Sequence, residues 1–250
     1  LEQATRTKLI ERNPVQLTQA GKRLLDTAQR MLNELQICQS DLNAINDLTQ
    51  GTLSIAASDI VSRLLLIKPF QQFKSEYPGI DLALFNTTSS QAVDLVKSAR
   101  ADIGFVIAQK ESQPLHFTPL TQIHWCAFGD NIFEWQDNRK ESQTLILLGH
   151  DTRTRELIDA SLPELNLPKH RVMEVGSVEA QIDWAEAGFG TAIVPDFSLD
   201  PRLMLSREVT PLPSFPNTDF GYIVRQNQVL SKAAKQLLTW VGENVSVVGE

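Results

Sequence analysis

The chain has two cysteines in 250 residues, Cys38 and Cys126. That is too few for a disulfide scaffold and suits a reducing cytosol. No apolar run reaches the ~18 residues a membrane helix needs. There is no initiator Met and no apolar, signal-like start, because the chain opens on Leu1-Glu2-Gln3-Ala4-Thr5-Arg6. The expectation is a piece of a longer, non-exported polypeptide, without a membrane partner. The four histidines, His116, His124, His150 and His170, lack metal-ligand spacing, and no CxxC accompanies them, so no metal is expected. A GxSxG elbow and a Walker loop are also missing. Gly188-Phe189-Gly190 looks like a fragment of a dinucleotide fingerprint. It follows a helix and precedes a strand, the reverse of the order that aims a helix N-terminus at phosphate. It reads instead as a helix C-cap turning into a strand. No nucleophile–base pair emerges, so neither an enzyme nor a cofactor is expected.

What is present is ordinary for a soluble globular protein: 42% hydrophobic and 21% charged residues, enough for one large or two ordinary domains. The net charge of −7 is unevenly spread. Residues 1–23 hold Arg6, Lys8, Arg12, Lys22 and Arg23 against Glu2 and Glu11, a net +3 that leaves −10 on the rest. A basic head on an acidic body points to two separate jobs.

From Thr18, a good N-cap, apolar residues fall at Leu24, Ala28, Met31, Leu35, Cys38, Leu42 and Ile45. The steps alternate between four and three, which is a heptad seam. With no Gly or Pro between Lys22 and Gln50, the predicted helix runs about 45 Å. A seam this narrow favours pairing with a second copy, the alternative being a helix lying on its own domain. Cys38 reads as a small apolar filler in that seam.

After Gly51 the period changes. Strands are predicted at 52–57, 80–85 and 101–108, with helices at 62–77 and 90–99 between them. A second unit has strands at 125–128, 144–148, 172–175, 191–194 and 220–224. Its helices are predicted at 153–161 and 177–187, and a closing helix at 231–243. This alternation implies α/β layers with mostly parallel sheets and a ligand-sized crevice between the units. Hydroxyl-rich segments sit at strand-to-helix junctions: Ser58-Asp59, Thr87-Thr88-Ser89-Ser90, Asp151-Thr152-Arg153-Thr154-Arg155, and Ser177. Plain N-capping explains any one of them. Four that converge on one crevice would form a site suited to carboxylates and other anions.

These residues carry a resemblance. Leu9-Ile10-Glu11-Arg12 and Val15-Gln16-Leu17-Thr18-Gln19-Ala20-Gly21 are similar to the wing and linker-helix start of LysR-type transcriptional regulators. Gly51-Thr52-Leu53-Ser54-Ile55, Leu65-Leu66, Phe73 and Tyr77-Pro78 follow in the family's order, then Ala101-Asp102-Ile103-Gly104-Phe105. The most specific stretch is Ser177-Val178-Glu179 with Ala187-Gly188-Phe189-Gly190-Thr191-Ala192-Ile193-Val194-Pro195. Thr5-Arg6, Ile67-Lys68-Pro69 and Gly129-Asp130-Asn131-Ile132 depart from its usual pattern.

The resemblance implies a winged helix-turn-helix remnant over 1–17 and a dimerising linker helix over 18–49. Two Rossmann-like subdomains of periplasmic-binding-protein type II follow, the first from 51–122 with 223–250, the second from 123–222. It implies a cytoplasmic homo-oligomer that binds promoter DNA and whose cleft takes a small-molecule co-inducer. The implied effector contacts are Ser58, Asp59, Thr88, Ser89, Thr152, Arg153, Thr154 and Ser177. Most of the recognition helix is expected upstream of Leu1, leaving Arg6, Lys8 and Arg12 to touch DNA phosphates, which position a protein without specifying a sequence. The effector is expected to be a carboxylate, or an amino acid whose ammonium group meets Asp59. The alternative is a solute-binding protein of the same architecture that does not bind DNA.

Overall fold

A computed structural model describes residues 1–45, 50–107, 114–130, 132, 143–226 and 228–246. A short helix α1 (Glu2–Thr5) leads into an antiparallel hairpin of β1 (Ile10–Arg12) and β2 (Val15–Leu17). The Glu2 carboxylate accepts the N–H groups of Leu9 and Ile10 at 2.6 and 3.1 Å, and these bonds hold its pKa below the ordinary value. Thr18 accepts the N–H of Gly21 at 3.0 Å and so caps α2 (Gln19–Ile45) as its position predicts. Gly21 is required by close approach: a Cβ there would lie 2.0 Å from the Leu9 carbonyl oxygen.

Along α2 the seam residues Ala28, Met31, Leu35, Cys38 and Leu42 are exposed, while Leu24 is half-buried beside the hairpin end of the helix. The Ile45 side chain and residues 46–49 lie outside what is described. Met31 and Leu35 keep 65% and 67% of their surface in solvent, so this face does not lie on its own chain.

The first sheet contains β3 (Gly51–Ala57), β4 (Ile80–Asn86), β5 (Ile103–Ile107), β6 (Leu115–Ile123) and β12 (Thr218–Arg225), in the order β4-β3-β5-β12-β6. The second contains β7 (Trp125–Gly129), β8 (Thr144–Leu148), β9 (Arg171–Val175), β10 (Thr191–Pro195) and β11 (Glu208–Pro211), in the order β11-β7-β10-β8-β9. Neither is mostly parallel. In each, the strands joined by crossover helices pair in parallel, and the strands that carry the chain between sheets pair antiparallel. The chain passes from β6 to β7 through His124 alone, with no crossover helix to reverse its direction. It leaves β11 at Pro211 and resumes the first sheet at Thr218, ahead of the 222/223 boundary implied by the resemblance.

The helix predicted over 62–77 forms in three pieces: α3 (Asp59–Val61), a π turn (Ser62–Leu66) and α4 (Ile67–Glu76). Pro69 explains the break. It has no N–H to give the carbonyl four residues back, and its ring crowds that carbonyl, so the turn widens. The freed Leu65 carbonyl accepts the Asn244 side-chain amide at 3.1 Å instead. The remaining α-helices among the described residues are α5 (Ser89–Lys97), α6 (Arg153–Ser161), α7 (Val178–Glu186), α8 (Pro201–Ser206) and α9 (Lys232–Ser246). At the end of α7 the N–H groups of Gly188 and Phe189 reach the carbonyls of Ala185 and Trp184, with Gly188 at φ +85°. This is the glycine C-cap expected from the sequence.

One buried cluster runs through both units, from Phe73, Phe105 and Phe220 to Phe128, Ile146 and Val194. Among the described residues no helix is long and apolar enough to cross a membrane. Asp102 accepts the Ser54 N–H at 2.8 Å and faces Arg225 at 3.9 Å, yet burial outweighs both and raises its pKa. A carboxyl raised in the folded state favours folding below the unfolded value of about 3.9 and loses that contribution as pH rises through the folded value. Asp102→Asn, whose amide oxygen can still accept from Ser54, is therefore expected to gain stability relative to wild type as pH climbs from about 4 to 7. Melting temperatures that keep a constant difference over that range would refute this.

Candidate functional site

The C-terminal ends of β3 and β4 in one sheet face those of β8 and β10 in the other across a cleft of about 310 Å³. All eight side chains predicted for the site line it: Ser58, Asp59, Thr88 and Ser89 from the first unit, and Thr152, Arg153, Thr154 and Ser177 from the second. Asn86, Gln91 and Glu179 also line it and were not anticipated. Gln91 had a readable signal, because Thr88-Ser89-Ser90-Gln91 has capping-box spacing. Glu179 and Asn86 carried none.

Capping and lining turn out to be one arrangement. Thr88 accepts the Gln91 N–H at 3.3 Å while Gln91 accepts the Thr88 N–H at 3.2 Å. Thr152 accepts the Arg155 N–H and Ser177 the Ala180 N–H, both at 3.2 Å. Each cap satisfies one donor and leaves the first backbone N–H groups of α5, α6 and α7 without intrahelical partners. Three helix N-termini thus turn donors and partial positive charge toward one cleft. Thr152 is further committed, donating to the Gly149 carbonyl at 3.0 Å. Ser89 accepts the Ile107 N–H at 3.1 Å and ties α5 to the end of β5. Ser58 forms no side-chain cap bond, so its hydroxyl stays available at the cleft wall.

The charges are mixed. Asp59 accepts from the Asn86 amide at 3.4 Å, and Arg63 lies 4.0 Å away. Arg153 is drawn along its own helix into an ion pair with Glu156. Behind the wall, Arg155 is 4% exposed and clamps three elements. Its guanidinium reaches the Leu148 carbonyl at 2.7 Å, Asp159 at 2.8 Å and Glu174 at 3.1 Å. Gln181 plays a similar part between β8 and β10, whose ladder registers only at Leu145 and Ile146. Its amide donates to the carbonyls of Ile146 at 2.7 Å and Ile193 at 3.1 Å, closing the gap where the strands diverge toward the cleft.

The remaining chemistry-bearing groups lie elsewhere. Among the described residues no group of three His, Cys, Asp or Glu side chains could hold a metal ion. Cys126 is buried, and burial followed by the Asp196 charge pushes its thiol up to about 12, so it stays protonated and inert. Arg6, Lys8 and Arg12 are exposed on the N-terminal hairpin segment, where Lys8 pairs with Glu11.

A family model described as the LysR substrate binding domain matches residues 46–246. Among curated proteins, the HTH-type transcriptional regulator YfeR of Shigella flexneri is 25% identical, over 95% of this chain and 80% of that protein. YofA of Bacillus velezensis, also an HTH-type transcriptional regulator, is 25% identical over 95% of this chain and 83% of its own length. Among solved structures, a full-length OxyR variant from Pseudomonas aeruginosa aligns with TM-score 0.65 and 19% identity, covering 96% of this chain and 82% of that one. The effector-binding domain of QuiR, in complex with shikimate, aligns with TM-score 0.60 and 15% identity over 78% of this chain and 96% of its own. The chain belongs to the LysR-type transcriptional regulators, and the cleft lies within the part that matches their substrate-binding domain.

Proposed function

We propose that the cleft binds a small carboxylate or amino-acid effector and that the bound effector changes how a homo-oligomer sits on promoter DNA. The observation that carries this reading is the convergence of the α5, α6 and α7 N-termini on one cleft. Ser58, Thr88, Ser89, Thr154 and Ser177 supply hydroxyls around those termini, and Thr152 fixes the turn before α6. Asp59 receives an ammonium group where the effector has one, and Arg153 takes part by leaving Glu156. The shikimate held by the QuiR domain is itself a carboxylate, which agrees with this chemistry. The exposed seam from Ala28 to Leu42 pairs two copies, and Arg6, Lys8 and Arg12 add contacts to phosphates. The protein acts in the cytoplasm, where promoter DNA is found.

A melting-temperature panel of amino acids, aliphatic and aromatic carboxylates, sulfate and phosphate tests the reading. A ligand at 100 times its Kd adds about 2.7 kcal/mol of stability. Thr152→Ala and Ser177→Ala are each expected to weaken binding by about 1 kcal/mol, measured as the ligand-dependent shift because both also remove a helix cap. Undiminished binding in both variants would reduce these junctions to caps.

A further inference from the structure

Arg63 projects from the π turn of the first unit, 57% exposed, toward the second. Its Nη1 lies 3.5 Å from Oε1 of Glu179, in the first turn of α7, and 4.0 Å from Asp59 on its own side. That Glu179 oxygen is shielded from solvent and accepts no hydrogen bond. A carboxylate oxygen held in this way is unfavourable unless a cation compensates it. At 3.5 Å the pair has Coulombic attraction without hydrogen-bond geometry. Drawing the units about 0.5 Å closer would reach the ~2.9–3.0 Å of an N–H···O bond, and a charge-assisted one. Opening the cleft would instead return Glu179 to water. Closing and opening therefore act on the same carboxylate, closing by completing its bond to Arg63 and opening by hydrating it.

From this geometry we infer that Arg63 and Glu179 form a charge bridge over the cleft that positions the two units around the effector and thereby tunes its affinity. Neither residue needs to touch the effector. The π turn, set by Pro69, fixes where Arg63 sits along the helix and so where the bridge lands. The inference rests on the effector-cleft reading and adds a means of regulating that cleft, since an effector that draws the walls together is held by the bridge as well as by its own contacts.

The test needs no effector, so its failure leaves the effector reading standing, and the ligand panel judges that reading separately. Spin labels at Lys97→Cys in α5 and Ala160→Cys in α6, both exposed positions, report the distance between the units in a Cys38→Ser background. Arg63→Gln and Glu179→Gln are each expected to broaden the distance distribution and lengthen its mean by about 2 Å or more. The double variant should move no further than either single, because both singles break the same bridge. Arg63→Lys keeps the charge on a long side chain and should stay nearer the wild-type distance than Arg63→Gln does. Unchanged distances in the single variants, additive shifts in the double variant, or equal displacement by Arg63→Lys and Arg63→Gln would each overturn the bridge.

Discussion

Arg155→Ala is expected to cost about 3 kcal/mol of stability, read from denaturant midpoints at constant slope. The side chain is almost wholly buried, and three acceptors depend on it. Breaking a buried ionic cluster by removing one member costs about 3–5 kcal/mol when the other charges stay dry. Here Asp159 and Glu174 retain 40% and 46% of their side-chain exposure and can rehydrate, which places the loss near the lower end. The Leu148 carbonyl has less recourse, because Leu148 is buried. Arg155→Lys should recover only part of the loss, since an ammonium cannot reproduce the planar fork that spans Leu148, Asp159 and Glu174. The same change should weaken effector binding, because the 149–152 turn carrying Thr152 loses its anchor at the end of β8. A variant within about 1 kcal/mol of wild type would show that the cluster repacks without its centre.

The contrast between Thr152 and Arg155 shows what the sequence made legible. Thr152 announced itself by chemistry and place: a hydroxyl between an apolar strand and a helix, in a chain where three other junctions repeated the pattern. Arg155 lies in the same 151–155 segment, where no local feature singles it out. Its partner Glu174 is nineteen positions away, on a neighbouring strand. No local pattern records that a guanidinium will be enclosed by a strand pairing. The same reason hid Glu179, whose distinction is the Arg63 it meets from another unit. Elements with strong local signals appeared as read, such as β8 at Thr144–Leu148 and α6 at Arg153–Ser161. The strand β6 went unread because Pro119 interrupts its alternation. Sheet direction also escaped, since parallel and antiparallel pairing depend on how the chain crosses between units and not on strand composition.

Leu35→Asp is expected to shift a dimer toward monomer by about a hundredfold in Kd, seen as a lower sedimentation coefficient at micromolar concentration; that factor is about 2.7 kcal/mol. Leu35 is 67% exposed on α2 and lies four residues beyond Met31, itself 65% exposed. Leu42 continues the seam at 54% exposure, and Leu25 and Leu32, 44% and 61% exposed, widen the apolar stripe. So much exposed leucine on one helix face is unfavourable in water and favours a matching surface. A heptad seam would seat Leu35 in a hole formed by four side chains of a facing helix, where a carboxylate would have to shed its hydration without a partner. Because Leu35 makes little use of its own chain for burial, the substitution should leave the melting transition of the α/β units nearly unchanged. That separates lost association from lost folding. Gln29→Asp, which adds the same charge on the polar face of α2, serves as the control and should sediment as wild type does. Equal sedimentation of Leu35→Asp and wild type would overturn pairing through this seam, and the exposed stripe on α2 would then need a different occupant.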